Sequence, residues 1–202
     1  SKYPIFSFDF TGAKRGVLPA SYDYLRLEGR MQYRLNLPPI GYSQLMLEGG
    51  KIFGKVPYLL LKLHEGNGTY FYDRYAFSCM NFYEFSSDAW ISFFYEHHFN
   101  GFLLGRVPLL KKLNWREVFV FKGVYGTLSA RNDGSLPNTK AVMLFPVGMS
   151  SVEHPYLETG FGIENIFRLL RVDCIWRLTH HRAVPGLSIP TFTVNFSLNL
   201  KF

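Results

Sequence analysis

The C-terminal stretch of the chain, residues 191–202, alternates between apolar and polar side chains without a break. Its apolar members are Phe192, Val194, Phe196, Leu198, Leu200 and Phe202. This period of two predicts a β-strand with one apolar and one polar face, because successive side chains of a strand point to opposite sides. A tilted strand of about 9–11 residues crosses a bilayer, so this one is long enough to face lipid on one side and a polar lumen on the other.

The same stretch resembles the C-terminal signal strand of bacterial outer-membrane barrels, which ends in Phe and is recognised by the outer-membrane assembly machinery. The resemblance implies that its six apolar residues form that signal. We therefore predict an antiparallel transmembrane β-barrel in the outer membrane of a Gram-negative bacterium, with a periplasmic C-terminus. A soluble β-sandwich or soluble barrel is the alternative fold.

A second strand, over residues 24–37, shows the same alternation with charged residues on its polar side. These residues are Arg26, Glu28, Arg30 and Arg34. A charge facing lipid costs about 2–4 kcal/mol near the midplane of the bilayer. We therefore expect this side of the strand to face a polar lumen, with its leucines facing lipid.

Shorter alternating stretches complete the predicted set of eight strands. The strands cover residues 3–11, 24–37, 42–50, 88–102, 115–129, 156–162, 171–179 and 191–202. The pattern is lost near residues 51–87 and 130–155, which we predict to be long extracellular loops of a single barrel region spanning residues 1–202. Within the first loop, a short helix near 56–64 and a strand within 75–85 are both compatible with the sequence.

Polar residues recur on the predicted lumen face of these strands. They are Arg26, Glu28, Arg30, Arg34, Glu48, Glu96, His98, Asp173 and Arg177. Charges of both signs favour ion-pair networks between strands over an ion-selective pore, which shows one dominant sign. The interior of an eight-stranded barrel is just filled by side chains. Because several inward groups here are long, we predict that the chain is the C-terminal part of a larger barrel and does not close by itself.

The composition agrees with a membrane-facing sheet. Aromatic residues make up 18% of the chain, including 20 Phe, and such rings suit both lipid-facing and interfacial positions. Because the net charge of +7 is spread over many segments, it argues against nucleic acid as a partner. A basic surface on a membrane protein instead favours contact with anionic lipids and the phosphates of lipopolysaccharide.

The sequence contains few residue patterns that indicate a catalytic or metal-binding site. In Glu96-His97-His98 the two histidines point to opposite faces of a strand, so they cannot chelate one ion together. Glu96 and His98 share a face, but a metal site there needs a third ligand, for example Asp88. No nucleophile motif or phosphate-binding glycine loop is present. We predict no catalytic, cofactor-binding or metal residue, and no enzyme activity.

Several short segments of the sequence resemble the C-terminal region of a large bacterial outer-membrane family of poorly defined function. They lie at residues 50–58, 83–88, 96–101, 108–110, 116–117 and 162–166. Members of this family often carry an N-terminal carboxypeptidase-like regulatory domain. The resemblance implies that the chain is the closing portion of a longer protein.

A more distant resemblance is to the BamA/TamA-type assembly and translocation barrels, which share the order of long loops and strands and a glutamate midway along the corresponding strand, here Glu96. Those barrels carry an Arg-Gly tip in the long loop, whereas residues 79–83 here contain no such pair. Two functions are therefore expected. One is a transport, export or assembly barrel, and the alternative is a structural or accessory subunit of a larger outer-membrane complex.

Overall fold

The computed structural model of the protein describes residues 3–16, 21–135, 140–152, 154–181 and 188–198. Helical structure in these ranges is limited to α1 (Pro108–Lys111) and to 3-10 turns at Tyr58–Leu60 and Leu104–Arg106. None of these helices has the length and hydropathy needed to span a membrane. The rest of the regular structure consists of strands, which confirms the all-β fold class.

The strands of the described chain form two sheets. Their bounds are β1 (Ile5–Ala13), β2 (Tyr24–Asn36), β3 (Tyr42–Gly54), β4 (Lys62–Leu63), β5 (Phe85–Ser87), β6 (Ala89–His98), β7 (Arg116–Thr127), β8 (Ser150–Ser151), β9 (Tyr156–Ile166), β10 (Leu170–Arg177) and β11 (Phe192–Leu198). The large sheet has the order β1-β2-β3-β6-β7-β9-β10-β11, with every neighbouring pair antiparallel. The eight strands predicted from alternation are therefore confirmed, in chain order.

The pairing register separates the two faces of the large sheet. Arg30 lies opposite Glu48, Gln44 opposite Glu96, and Gly162 opposite Asp173. Because opposite residues share a face, most charged positions of these strands lie on one side, which we call the polar face, whereas Lys51 and Glu117 lie on the other. The other side, the apolar face, carries Phe6, Phe8, Phe10, Leu25, Leu27, Leu45, Leu47, Ile91, Phe93, Phe119, Phe121, Phe161, Val172, Trp176, Phe192, Val194, Phe196 and Leu198.

The chain between β3 and β6, residues 55–88, lies across the polar face, and we call it the covering segment. Its strands β4 and β5 pair with each other, and β8 from the next long loop joins β5 in parallel. Phe77, Met80 and Phe85 of this segment are buried against Met46 and Phe94 of the sheet. A second cluster joins Val56 and Leu61 to Ile52 and Trp90. The hydrophobic core therefore lies between the sheet and the covering segment.

The third strand is longer than predicted. Alternation stops at Gly49-Gly50, and we expected the loop to begin there, but β3 continues to Gly54. A Cβ atom at Gly50 would lie 2.5 Å from Cζ2 of Trp90 and 2.7 Å from the carbonyl oxygen of Leu27. The glycine thus makes room for a buried indole ring on the neighbouring strand instead of ending its own strand.

Other boundaries also differ from the prediction. The strand β6 ends at His98 rather than at residue 102, and β9 continues to Ile166, which leaves only residues 167–169 as the turn. The region 56–64 forms a 3-10 turn and β4 rather than a helix. Of the proposed assembly signal, Phe192, Val194, Phe196 and Leu198 lie on the apolar face, whereas Leu200 and Phe202 lie outside the described residues.

The edge strands of the large sheet, β1 and β11, do not pair with each other within the described chain. At the outer edge of β11, Phe196 forms a parallel bridge with Phe71 of the covering segment. The amide of Phe196 donates to the carbonyl oxygen of Tyr70 at 2.7 Å, and its own carbonyl accepts from the amide of Tyr72 at 2.8 Å. The covering segment therefore reaches across the whole polar face from β3 to the last strand.

Candidate functional site

The centre of the polar face is organised around Glu96 on β6. Its carboxylate accepts hydrogen bonds from the hydroxyl of Tyr72, from Nε of Arg74 at 2.8 Å, and from Nη2 of Arg171 at 3.2 Å. Tyr72 and Arg74 belong to the covering segment, whereas Arg171 is on β10. A carboxylate that is 1% exposed is thus compensated by two cations and a hydroxyl.

Tyr72 and Arg171 pack against each other beside this carboxylate. The guanidinium carbon of Arg171 lies 4.4 Å from the centre of the Tyr72 ring, and Nζ of Lys122 lies 4.5 Å from the same ring. Arg171 also forms a two-pronged pair with Asp173, with distances of 2.7–3.0 Å. Burial, and then the adjacent Glu96 carboxylate, raise the pKa of Tyr72 well above its ordinary value. Tyr72 therefore stays protonated and acts as a hydrogen-bond donor.

Lys122 on β7 holds the backbone of the covering segment. Its ammonium group donates to the carbonyl oxygens of Asp73 at 2.8 Å and Ala76 at 2.6 Å. The side chain is 1% exposed. Two carbonyl groups of an irregular segment are thereby satisfied by one sheet residue.

Glu158 on β9 binds the next turn of the same segment. Its two carboxylate oxygens accept from the amides of Ser78 at 2.8 Å and Cys79 at 2.7 Å, and the Tyr156 hydroxyl donates at 2.6 Å. Burial, and then the charge of Glu158, raise the pKa of Cys79 to about 12. Cys79 is free but fully buried, so its thiol is not a nucleophile.

Arg177 on β10 also contacts the covering segment, next to Glu158. Its guanidinium pairs with Glu84 at 2.5 Å and donates to the carbonyl oxygens of Cys79 at 3.2 Å and His180 at 2.7 Å. From Lys122 to Arg177, three neighbouring strands therefore hold residues 73–84 through their backbone or through Glu84. Because most of these bonds are to main-chain atoms, the contacts depend on the backbone conformation of this segment more than on its side chains.

A second charged group lies between β2, β3 and β4. Glu48 accepts from Arg30 at 2.7 Å, from Nε1 of Trp90 at 3.3 Å, and from Lys62 of the covering segment. Glu28 is paired with Arg26 at 2.6 Å. This group anchors the start of the covering segment, as the central group anchors its middle.

His64 lies beside the second group, and its Nε2 is 2.9 Å from the hydroxyl of Ser87. Burial, and then the positive charge of Lys62, lower the pKa of His64 to about 3, although Glu48 acts in the opposite direction. Both partners of this Ser–His contact are buried. The histidine is therefore neutral and structural in this arrangement.

His98 lies 3.1 Å from Glu164 through Nδ1 and 3.4 Å from Glu96 through Nε2, and its ring stacks on Tyr42 at 4.4 Å. This is the Glu96–His98 pair that the sequence placed on one strand face. Among the residues that the structure covers, no group of three His, Cys, Asp or Glu side chains is arranged to hold a metal ion. Within that range the histidine takes part in a carboxylate network.

The nine predicted lumen residues all lie on the polar face. Arg26, Glu28, Arg30 and Glu48 meet in the second group, Glu96, His98 and Asp173 meet in the central group, and Arg177 lies beside Glu84. Arg34 joins neither group, and its exposed guanidinium instead lies 3.9 Å from the centre of the Tyr42 ring.

Sequence reasoning missed Lys122 and the partners from the covering segment, such as Lys62, Tyr72 and Arg74. The neighbours of Lys122 on the same strand face, Val120 and Val124, are apolar, so the alternation did not mark it. A lone lysine within a valine-rich strand was the available signal. The partners from the covering segment carry no periodic pattern.

Two clefts of about 250 and 270 Å³ remain between the covering segment and strands β2 and β3. The larger of the two is lined by Arg30, Glu48, Lys62, His64 and Asp73. The covering segment therefore fills the centre of the polar face and leaves open space on its β2 side.

Comparison with known proteins supplies one match. Residues 1–130 match the C-terminal domain of a family described as a family of unknown function, DUF5686. This range includes β1 to β7, the covering segment, and the residues Glu48, Glu96 and Lys122. No curated protein matches the chain.

Proposed function

The chain belongs to the family of unknown function DUF5686, and we propose that it is an integral outer-membrane β-barrel protein of a Gram-negative bacterium with a role in transport, export or outer-membrane assembly. In this proposal the apolar face contacts lipid, and the polar face lines a lumen that the covering segment plugs. The observation that carries the proposal is the continuous apolar face on one side of a sheet whose other side is charged and covered.

The apolar face supports placement in a bilayer. Large side chains on it are exposed, including Phe8 at 83%, Phe161 at 59% and Ile91 at 54%. Soluble proteins rarely expose continuous apolar surfaces of this kind. Two polar side chains on the same face have protein partners, since Ser43 bonds to His97 at 2.8 Å and Thr159 bonds to the carbonyl oxygen of Val120 at 3.2 Å. Such internal pairing is what lipid contact requires.

The alternative soluble fold places a second sheet over the apolar face, as in a β-sandwich. In the described ranges no segment does so, because the covering segment and β8 both lie on the polar side. This favours lipid over a protein layer as the partner of the apolar face.

The covering segment supports a role in passage through the barrel. Buried charges hold it on the polar face, and its own aromatic rings, such as Phe77 and Phe85, are buried against the sheet. A loop in this position plugs the lumen of a barrel, and a channel whose opening is regulated needs such a plug. An accessory subunit without transport activity remains the second candidate, and it predicts instead that the covering segment contributes only to stability.

The edges of the large sheet support a barrel that contains further strands. A lipid-exposed sheet edge is costly because its backbone groups find no hydrogen-bond partners. β1 has a neighbour on one side only, within the described chain. We infer that further strands, from a longer chain of the type with an N-terminal carboxypeptidase-like domain or from another subunit, complete the barrel. Partners of the finished barrel are then lipids and lipopolysaccharide, the assembly machinery and other complex subunits.

Cysteine labelling in membranes tests the membrane placement. In a variant lacking Cys79 and Cys174, single cysteines replace Ile91 or Phe161 on the apolar face, or Arg34 on the polar face. We expect a lipid-soluble maleimide to label the first two positions and a water-soluble maleimide to label only the third. Equal labelling of all three positions by the water-soluble reagent would contradict the proposal.

Shortening of the covering segment distinguishes the two functional candidates. Replacement of residues 65–84 by a short Gly-Ser linker in the full-length protein is expected to make cells permeable to a large antibiotic that intact outer membranes exclude. The control replaces residues 14–21, which connect β1 to β2. Unchanged permeability at normal membrane levels of the shortened protein would favour the accessory role.

A further inference from the structure

A basic cleft lies at the end of the sheet opposite the covering segment, between the β6–β7 connection and the β9–β10 turn. Its volume is about 850 Å³, within the range of small-molecule sites. Its lining includes Lys111, Arg116, Arg168 and Trp115, with no acidic residue. None of these residues takes part in the contacts that hold the covering segment, so the cleft is separate from the site described above.

The walls of the cleft are held in place by contacts between the two connections. The side-chain amide of Asn165 donates to the carbonyl oxygen of Asn114 at 2.8 Å, which ties the β9–β10 turn to the end of the β6–β7 connection. Asn165, Phe167 and Arg168 all have positive φ values, between 49° and 68°. Within this tight turn Phe167 and Arg168 are exposed, and Arg168 lines the cleft.

Two of the three cations of the cleft lack partners of opposite charge within the described chain, whereas Arg116 lies opposite Glu164. Lys111 and Arg168 are exposed and form no ion pair there. The carboxylates close by are already used, because Glu164 binds His98 at 3.1 Å and Glu117 accepts a hydrogen bond from the amide of Leu104. The cleft therefore presents uncompensated positive charge, which suits an anionic ligand.

The two connections that form the cleft also carry exposed apolar side chains, which we call the apolar rim, and of these Leu169 lines the cleft itself. Phe167 is 87% exposed, and Leu103, Leu113 and Leu169 are between 46% and 55% exposed. Cations beside an indole ring and exposed apolar groups are typical of the membrane interface, where a lipid places its phosphate above its acyl chains. A soluble phosphate would gain nothing from the apolar rim.

We propose that this cleft binds the phosphate headgroup of an anionic phospholipid, with Lys111 and Arg168 at the phosphate and Phe167 and Leu169 along the acyl chains. The inference rests on the proposed membrane placement, which sets this end of the strands at the level of lipid headgroups. Because the turns lie on the predicted periplasmic side, the ligand is a phospholipid of that leaflet rather than lipopolysaccharide.

Native mass spectrometry of the protein in neutral detergent tests the site. Phosphatidylglycerol and phosphatidylcholine with identical acyl chains are added in equal amounts, and the bound lipid is counted. We expect the protein to retain phosphatidylglycerol at least about fivefold over phosphatidylcholine, since each cation near anionic lipid contributes about that factor. The preference should decrease with added NaCl.

The double variant Lys111→Gln/Arg168→Gln should lose this preference, whereas the control Lys14→Gln/Lys140→Gln should keep it. The control removes the same charge at the opposite end of the sheet, and all four residues are exposed, so both variants should fold. An equal loss in both variants, or no preference in the unmodified protein, would overturn the proposal. So would displacement of the lipid by millimolar inorganic phosphate, because the ligand would then be a soluble anion.

The outcome is separable from that of the proposed function. If the lipid-soluble maleimide labels Ile91→Cys but the protein shows no preference for phosphatidylglycerol, only the proposed lipid site in the cleft is disproved. Water-type labelling would disprove the membrane placement, and with it the lipid as ligand, whatever the selectivity in detergent.

Discussion

Nζ of Lys122 lies 2.6 Å from the carbonyl oxygen of Ala76, and this contact joins the middle strand β7 to the centre of the covering segment. No direct ion pair with a carboxylate is needed, because backbone carbonyl groups and the ring of Tyr72 surround the ammonium group. Loops that cross a sheet bring unsatisfied backbone groups with them. Buried Lys122 donates to two of these carbonyl groups, and Glu158 accepts from the amides of Ser78 and Cys79.

Replacement of Lys122 by methionine should release the covering segment. The methionine fills a similar volume but leaves the carbonyl groups of Asp73 and Ala76 without their donor, at a cost of about 1–3 kcal/mol. We expect faster hydrogen exchange in residues 72–84 with little change in β2. The control Lys140→Met, at an exposed position, should leave exchange in residues 72–84 unchanged. Protection of residues 72–84 that survives Lys122→Met would show that the contact is dispensable.

The Arg177–Glu84 pair should be strongly coupled to its surroundings. Arg177→Met leaves a buried carboxylate, and Glu84→Gln leaves a buried guanidinium, so each single change should destabilise the fold by about 3–5 kcal/mol. The double variant should be less destabilised than the sum of the two changes, because no unpaired charge remains. Urea unfolding in detergent measures the three values. Simple additivity would mean that the 2.5 Å pair does not form in solution.

Gly50→Ala should destabilise the sheet although alanine is a small residue. The new Cβ would meet the indole of Trp90 at 2.5 Å and the carbonyl oxygen of Leu27 at 2.7 Å, and the backbone atom cannot move aside easily. Overpacking of this kind costs about 1–3 kcal/mol. Gly29→Ala is the matched control, since its Cβ would meet only the Phe8 ring at an ordinary 3.5 Å. Similar unfolding midpoints for the two variants would contradict the close packing.

His64 should make the fold acid-sensitive. Its pKa is about 3 in the folded protein and near 6.5 in the unfolded chain, so below pH 6.5 only the unfolded chain takes up this proton. Stability contributed by the neutral ring is complete above pH 6.5 and is lost as pH falls towards 3. Between pH 6 and 5, the unmodified protein should lose about 1 kcal/mol more unfolding free energy than His64→Gln. Parallel pH profiles would show that His64 is protonated in the fold.

Removal of Phe202 should reduce assembly more than stability. The proposed signal strand ends with this ring, whereas burial of one Phe contributes only about 1.5–3 kcal/mol. Membrane-inserted protein in cells is compared with urea unfolding of the same variant refolded in detergent. Normal insertion, or an equal decrease in both measurements, would remove the support that this residue lends to an outer-membrane location.

The alternating pattern determined the eight strands, their order and their two faces, because side-chain period is a local property and strands that follow each other in the chain usually pair. The pattern alone predicts strands at residues 24–37 and 191–202, where the structure has β2 (Tyr24–Asn36) and β11 (Phe192–Leu198). The same pattern places Arg30 and Glu48 on one face, where their side chains form a 2.7 Å ion pair.

Only the tertiary structure decided what lies against the polar face. The covering segment has no periodicity, so its path across β6, β7, β9 and β10 depends on long-range contacts such as Phe77 against Phe94 and Lys122 against Asp73. The extension of β3 through Gly50 likewise depends on where the Trp90 ring packs. Alternation records which way a side chain points relative to its own strand. It carries no information about which distant backbone group will meet that side chain, because that partner is set by the packing of the whole chain.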